Sequence, residues 1–228
     1  MRIFRDISTL FFPELCLSCE NVLNTNEKLV CSFCNYELPK ADYTNLINNN
    51  VEKTFYGRVD IEQATALLLY SKKGIVQKLI HNLKYFGHQD VGKLFGNWLG
   101  NEIKQSNRFK NIDYVVSVPL HKNRLKSRGY NQVTKFGEQI SKILDIPYKE
   151  TILIRKNTSN TQSKKIRLDR WKNVEEMFFV TDLSVFENKH ILLLDDIITT
   201  GATIETCCNE LHKVKNIKIS IAVMAFTI

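Results

Sequence analysis

The stretch Ile191-Leu-Leu-Leu-Asp195-Asp196-Ile-Ile-Thr199-Thr200-Gly201-Ala202-Thr203 joins a wholly aliphatic segment to a turn rich in hydroxyl groups. Its first part, Ile191–Leu194, is typical of a central strand that is buried on both faces. The residues that follow the turn, from about Ala202 to Val214, show a helical pattern. A strand that leads into a helix through a short turn is the repeating unit of a parallel α/β sheet.

The turn also has the chemistry of an anion site. Backbone N–H groups at the start of a helix, together with the helix dipole, attract phosphate. Gly201 allows the backbone to approach a phosphate closely. Additional O–H donors are available from Thr199, Thr200 and Thr203. A ligand of this kind lies beyond the carboxyl ends of the strands, where this turn is expected.

The two carboxylates of Asp195 and Asp196 would repel a phosphate placed beside them. Acidic side chains at this distance from a phosphate suit ribose hydroxyls, and we expect both acids to face solvent at the strand end. The segment therefore predicts a site for ribose 5-phosphate. The alternative is that these acids and the threonines only form the turn and cap the helix.

The segment resembles the phosphoribosyl pyrophosphate (PRPP) motif of type I phosphoribosyltransferases. In that family two acids hold the ribose 2- and 3-hydroxyls, and the next loop holds the 5-phosphate. The resemblance assigns the hydroxyls to Asp195 and Asp196. It assigns the 5-phosphate to Thr199, Thr200, Gly201, Ala202 and Thr203. Mg²⁺ is the metal expected to accompany PRPP.

The rest of the chain alternates helical and strand patterns, which indicates a parallel sheet with right-handed crossovers. The predicted helices are Ile75–Leu83, Val91–Ile103 and Asn131–Leu144. The further predicted strands are Ile112–Val118, Thr151–Ile154, Phe178–Val180 and Ile217–Phe226. A near match to a P-loop at Gly87–Leu94 is rejected, because Leu94 replaces the Ser or Thr that binds magnesium and Asp90 would repel phosphate.

A basic loop is expected after strand Ile112–Val118, and it is a candidate for the pyrophosphate of PRPP. Backbone amides and Arg side chains bind phosphate oxygens well. The candidate residues are Pro119, Leu120, His121, Lys122, Arg124 and Arg128. Lys84 is added because the end of its helix, just before Gly87, can direct it at the site. A solvated basic loop is the alternative.

Four cysteines near the N-terminus form two Cys-x2-Cys pairs, and 11 residues separate the pairs. Thiolates at this spacing can surround one tetrahedral Zn²⁺, with no open position left for catalysis. We therefore predict a structural zinc ribbon whose ligands are Cys16, Cys19, Cys31 and Cys34. Four unrelated free thiols are the alternative, and contact of the ribbon with nucleic acid is left open.

Basic residues are concentrated in one segment, His121–Lys172, which holds 14 Lys/Arg and four Asp/Glu. An anionic partner such as single-stranded DNA is one interpretation, and a solvated face is the other. Tyr130 and Trp171 could stack on bases. The candidate nucleic-acid residues are Lys164, Lys165, Arg167, Arg170 and Trp171.

Composition predicts an ordinary globular protein. The cysteine pairs and the polar, Asn-rich stretch after them predict residues 1–40 as an N-terminal helix and zinc ribbon and 41–54 as a linker. The resemblance to phosphoribosyltransferases implies that residues 55–228 form a phosphoribosyltransferase-like domain. No apolar run approaches the roughly 18 residues of a membrane span. The spacing of apolar residues in Met1–Phe12 indicates a short helix that packs on the body, with membrane contact as the alternative. A cytoplasmic location is expected.

Taken together, the chain resembles the ComF family, and within it ComFC-like proteins. The residues that carry the resemblance are Cys16–Cys34, Leu83-Lys84-Tyr85, Val118-Pro119-Leu120-His121, Arg128-Gly129-Tyr130-Asn131-Gln132, Thr161-Gln162, Arg170, Asn173, Phe178 and the PRPP turn. Residues 163–166 are more basic than the family pattern. The resemblance implies PRPP binding and a role in uptake of transforming single-stranded DNA, with a DNA helicase or another DNA-processing protein as candidate partner. An active transferase with a nitrogen acceptor is the second possibility.

Overall fold

The computed structural model of the 228-residue chain describes residues 12–156, 177–182 and 184–228. Its elements, in chain order, are α1 (Ser32–Tyr36), α2 (Asn50–Lys53), β1 (Gln63–Tyr70), α3 (Ile75–Tyr85), α4 (Asp90–Gln105), β2 (Tyr114–Ser117), α5 (Lys122–Arg128), α6 (Thr134–Leu144), β3 (Tyr148–Lys149), β4 (Leu153–Lys156), β5 (Met177–Val180), a 3-10 turn (Ser184–Phe186), β6 (His190–Ile198), α7 (Ala202–Leu211) and β7 (Lys218–Thr227). Within these ranges no helix is both long enough and apolar enough to cross a bilayer.

The central sheet has the strand order β1-β7-β6-β2-β3, and every neighbouring pair is parallel. Side chains along β6 alternate between the two faces, as a strand requires. Leu192 and Leu194 face the layer that contains α3, α4 and α6, whereas Ile191 and Leu193 face the layer that contains α7. This arrangement confirms the predicted α/β fold with a parallel sheet between helices.

Helices α4 and α6 approach each other closely because glycines of α4 lie at their contact. A Cβ atom at Gly96 would stand 2.6 Å from the carbonyl oxygen of Phe136. Gly92 has ordinary contact distance to the same helix, 3.4 Å to the backbone nitrogen of Phe136. Gly92 belongs to the rejected P-loop pattern, and it serves here as a packing residue inside a helix.

Three differences from the predicted elements bear on the site. Strand β6 continues through both aspartates to Ile198, four residues beyond Leu194. Residues Lys122–Arg128 form α5, so the prediction of a loop there is wrong. This helix buries none of its side chains, and therefore carries no apolar periodicity that sequence reasoning could detect. The next helix, α6, begins at Thr134 and not near Asn131.

Residues predicted as a linker lie against β1. Asn49 caps α2 through its side-chain oxygen, which accepts from the N–H groups of Val51 and Glu52. Its side-chain nitrogen donates to the carbonyl oxygen of Ala64 at 2.8 Å. Val51 is fully buried. The division of the chain into ribbon, linker and domain remains a prediction, and the N-terminal helix predicted at Met1–Phe12 falls almost wholly outside the described residues.

Candidate functional site

The phosphate turn follows β6 at the carboxyl edge of the sheet. Gly201 has φ of 77°, in the left-handed region that glycine adopts without strain. A Cβ atom there would lie 3.0 Å from both Phe55 and Thr54, so these residues pack directly behind the turn. Thr199 and Thr200 are exposed, and Thr203 is half-buried in the first turn of α7. The turn thus presents hydroxyl and N–H groups at the start of a helix.

Arg58 holds the turn from the other side. Its guanidinium donates to the carbonyl oxygens of Thr200 at 2.7 Å and Thr54 at 3.0 Å. It also forms an ion pair with Glu205, in the first turn of α7. Because this pair neutralises Glu205, a carboxylate near the turn is prevented from repelling a bound anion. Arg58 was missed in the sequence, since it lies more than a hundred residues from the motif that it supports.

Asp196 is buried, with 6% of its surface exposed, so the expectation that both acids face solvent is wrong for this residue. The ammonium of Lys84 lies 2.7 Å from Asp196 Oδ2. The side-chain amide of Gln132 donates to the same oxygen at 2.7 Å. Strand β6 extends through Asp196, and its neighbours α3 and the start of α6 cover the carboxylate. The structure therefore brings Lys84 to the PRPP motif.

Asp195 is half-buried, and its Oδ1 accepts from the N–H of Asp196 at 2.8 Å. Burial, followed by the negative charge of Asp196, raises the pKa of Asp195 to about 7. Lys84 and Arg155 act in the opposite direction and only reduce this rise.

A cavity of about 130 Å³ opens at the two aspartates. Its basic wall is formed by Lys84, Arg124, Arg128 and Arg155, and its lining is completed by Val118, Pro119, Leu120, Gln132, Ile197 and Thr203. His121 and Lys122 do not line this cavity. His121 instead caps α5, where its Nδ1 accepts from the N–H of Asn123 at 3.1 Å. Of the residues predicted for pyrophosphate, Pro119, Leu120, Arg124, Arg128 and Lys84 come together here.

A second cavity of about 390 Å³ adjoins the first and shares Lys84, Arg124 and Arg128 with it. Tyr85 and Tyr130 add aromatic rings to its lining. The guanidinium of Arg128 lies 5.1 Å from the centre of the Tyr85 ring and donates to Gln132 Oε1 at 2.7 Å. These contacts fix the position of Arg128 between the two cavities.

No function is predicted from the sequence for Gln132 or Arg155. Gln132 stood inside the family motif Arg128–Gln132, but nothing in the pattern indicated that it reaches β6. Arg155 lies on β4, where burial lowers the pKa of its guanidinium and its charge stands 5.4 Å above the Phe178 ring. The candidate nucleic-acid residues Lys164, Lys165, Arg167, Arg170 and Trp171 lie outside the described residues.

The four N-terminal cysteines converge, with all sulfur atoms within 4.8 Å of one another. Sulfurs around tetrahedral zinc at about 2.3 Å stand roughly 3.8 Å apart, so the cluster fits this metal. Cys19 Sγ and Cys31 Sγ, for example, are 3.6 Å apart. Burial disfavours the thiolate of Cys16, but the N–H groups of Cys19, Cys31 and Ser18 more than offset it and lower the Cys16 pKa to about 6. The cluster is compatible with the predicted zinc ribbon.

Comparison with known proteins places these features in context. Residues 134–227 match the family model described as a phosphoribosyl transferase domain. Competence protein F of Haemophilus influenzae is 24% identical over 214 residues, which cover 89% of this chain and 93% of that protein.

Two further relatives match over a shorter region. Competence protein ComFC of Streptococcus pneumoniae is 36% identical over 121 residues, 53% of this chain and 50% of that protein. DNA utilization protein YhgH of Escherichia coli K12 is 29% identical over 132 residues, 55% of this chain and 56% of that protein. The matches therefore span about half the length of these two relatives.

Proposed function

Because this chain belongs to the ComF family of phosphoribosyltransferase-like proteins, we propose that it binds PRPP at the carboxyl edge of its parallel sheet. The observation that carries the proposal is the Lys84–Asp196–Gln132 contact directly beside the phosphate turn. An anion site, two carboxylates and a basic wall around one cavity match the three parts of PRPP.

Each part of PRPP has a proposed place. The 5-phosphate binds at the N–H and hydroxyl groups of residues 199–203. The ribose hydroxyls donate to Asp195 and Asp196. The pyrophosphate lies toward Pro119 and Leu120, where Arg124, Arg128 and Lys84 supply positive charge. This assignment follows from the lining of the cavity, which includes Thr203 of the turn, both aspartates and the basic residues.

Mg²⁺ is proposed to enter with the ligand. Asp195 is the candidate to contact it, because Lys84 already neutralises Asp196. Mg²⁺ commonly keeps several waters and binds through one carboxylate plus ligand phosphates, which fits this site. When bound, it would neutralise charge on the pyrophosphate.

Calorimetry with PRPP and Mg²⁺ tests the proposal. We expect saturable binding of PRPP, much weaker binding of ribose 5-phosphate and of pyrophosphate, and loss of PRPP binding in Asp195→Asn. Asp145→Asn is the matched control, because Asp145 is an exposed helix-terminal residue in the left-handed region, where asparagine is well tolerated. Absence of PRPP binding by the wild-type protein would contradict the proposed function.

We further propose that the protein takes part in the handling of transforming single-stranded DNA in the cytoplasm. The support is its similarity to proteins named for competence and for DNA utilization. A DNA helicase or another DNA-processing protein is the proposed partner. Gene deletion followed by transformation with labelled DNA tests this role, and unchanged recovery of transformants would contradict it.

Transfer of the ribosyl phosphate to a nitrogen acceptor is a second candidate. It is favoured by the adjoining cavity of about 390 Å³, where Tyr85 and Tyr130 offer aromatic rings to a planar acceptor. Release of pyrophosphate from PRPP only when an acceptor is added would support transfer. Binding of PRPP without turnover across a panel of nucleobases would favour the binding function alone.

A further inference from the structure

The zinc ribbon contacts α3 through two backbone carbonyls. The side-chain amide of Asn82 donates to the carbonyl oxygen of Leu17 at 3.0 Å, and the ammonium of Lys78 donates to that of Ser18 at 2.7 Å. Leu17 and Ser18 lie between Cys16 and Cys19, so both carbonyls belong to the first metal-binding turn. Cys16 and Cys19, which flank both carbonyls, belong to the four-sulfur cluster.

Apolar packing strengthens the same contact. Cys16, Cys34 and Leu38 of the ribbon share one buried cluster with Leu79 and Leu83 of α3. Leu17 and Leu23 are partly buried against that cluster. The ribbon is therefore part of the core layer on this face of the sheet.

The last turn of α3 makes three contacts with the candidate PRPP site. Lys84 forms an ion pair with Asp196. The carbonyl oxygen of Leu83 accepts from the hydroxyl of Tyr130. Tyr85 lies under the guanidinium of Arg128. One end of this 11-residue helix thus contacts three groups of the site, while Lys78 and Asn82 of the same helix contact the ribbon.

This helix depends on tertiary contacts for its position. Gly74 at its N-cap provides no side-chain hydrogen bond. A helix of 11 residues is shorter than the roughly 12–15 residues that are needed for even marginal stability in isolation. Removing the ribbon contact should therefore make the last turn of α3 more mobile. Among the described residues, no other metal-binding element neighbours this turn.

We infer that the zinc ribbon is a positioning element for Lys84 and that Asn82 and Lys78 are the positioning residues that connect them. The inference rests on the proposed PRPP function for its effect on binding. Asn82 is the stronger connection, because it is half-buried whereas Lys78 is exposed. The metal state of the ribbon then sets the affinity of a site on a different part of the chain.

The test uses the variant Asn82→Leu/Lys78→Met, in the zinc-loaded full chain. Asn101→Leu is the matched control, since Asn101 is an exposed helical asparagine whose amide, among the described residues, bonds the carbonyl of Asn97 in its own helix. We expect an unchanged zinc content, about a fivefold weaker affinity for PRPP, in line with two modest hydrogen bonds, and faster amide exchange at residues 83–86. Lys78→Arg, which keeps the donor, should retain more affinity than Lys78→Met.

A second experiment distinguishes the positioning of Lys84 from a general destabilisation of the protein. In a Lys84→Met background, Asn82→Leu should weaken PRPP binding much less than in the wild type, because most of its effect passes through Lys84. A full additional loss in that background would overturn the inference, as would unchanged affinity and unchanged exchange. If the wild-type protein binds no PRPP, the proposed function fails, while the exchange rates at residues 83–86 still decide whether the ribbon positions α3.

Discussion

The ammonium of Lys84 on α3 lies 2.7 Å from Oδ2 of Asp196 on β6, and Gln132 donates to the same oxygen. Asp196 Oδ1 receives no side-chain donor from the described residues, and it remains an acceptor for a ligand hydroxyl. Desolvation makes a buried ion pair a weak source of stability. A functional role accounts for the pair better than stability does, since it holds one cation and one carboxylate at a single edge of the cavity.

Replacement of Lys84 tests this relationship. Lys84→Met keeps the aliphatic stem and removes the charge, so Asp196 loses its partner and the pyrophosphate region loses a cation. We expect PRPP affinity to fall by about ten- to hundredfold, the range for a charged hydrogen bond of roughly 1.5–3 kcal/mol. Lys104→Met, at an exposed lysine in the last turn of α4, is the control. Equal affinities for the two variants would remove Lys84 from the site.

The raised pKa of Asp195 predicts a dependence of stability on pH. Between about pH 4 and 7 the folded protein keeps a proton that the unfolded chain releases, because the pKa is about 7 in the fold and 3.8 in its absence. The free energy of unfolding should therefore fall as pH rises through this window. Urea unfolding at pH 5 and pH 7.5 measures it, and Asp195→Asn should show a smaller decrease. Parallel behaviour of the two proteins would contradict the assignment.

Metal content tests the sulfur cluster. The purified protein should carry one zinc per chain, and removal of zinc by a chelator should lower the melting temperature, because metal binding contributes to folding. Cys34→Ser should lose zinc, whereas Cys208→Ala, at a buried thiol inside α7, should keep it. Full zinc content in Cys34→Ser would remove that residue from the ligand set.

The glycines of α4 give a test of packing within one helix. Gly96→Ala places a Cβ atom 2.6 Å from the backbone of Phe136, and overpacking of this kind typically destabilises by about 1–3 kcal/mol. Gly92→Ala meets only ordinary contacts, so the better helix propensity of alanine should leave stability equal or higher. Chemical denaturation measures the free energy of unfolding of the two variants. Equal values would show that α4 and α6 can move apart without loss of stability.

The sequence predicted the parallel sheet because strand and helix patterns alternate along the chain, with the clearest apolar runs in β6 and β7. It predicted a sulfur cluster because cysteine spacing alone brings the ligands together. It missed α5, none of whose side chains is buried, and it placed the end of β6 too early because Asp195 and Asp196 resemble a strand end. Whether a charged residue is buried cannot be predicted from the sequence until its partners are known.

Partners distant in the chain account for the remaining gaps. Arg58 supports the phosphate turn, and Gln132 shares the Asp196 oxygen with Lys84. Neither residue has a local signal, because each acts where strand order brings separate segments to one edge. The sequence could therefore name the ligand class more readily than the groups that hold the site in shape.

Single-stranded DNA is predicted to bind the basic segment of residues 121–172. The described part of this segment includes α5, which has four basic residues, no acidic residue and no buried side chain. Its cations exceed what one PRPP requires, so DNA affinity should fall with salt at a slope of about −0.7 per phosphate contacted. Fluorescence anisotropy with labelled oligonucleotides at several salt concentrations measures this slope.

Variants can distinguish the binding of DNA from the binding of PRPP. Charge reversal at Lys164 and Lys165 should weaken DNA binding and leave PRPP binding intact, whereas Arg124→Glu should weaken both, because Arg124 lines the PRPP cavity. Trp171→Ala should reduce DNA affinity by roughly 1–3 kcal/mol if its ring stacks on a base. Tyr130→Phe should have a smaller effect, because it keeps the ring that could stack on a base and removes only the hydroxyl, which donates to the carbonyl oxygen of Leu83. DNA affinity that is undetectable at low salt, or unaffected by the reversal, would show that this segment is not the DNA site.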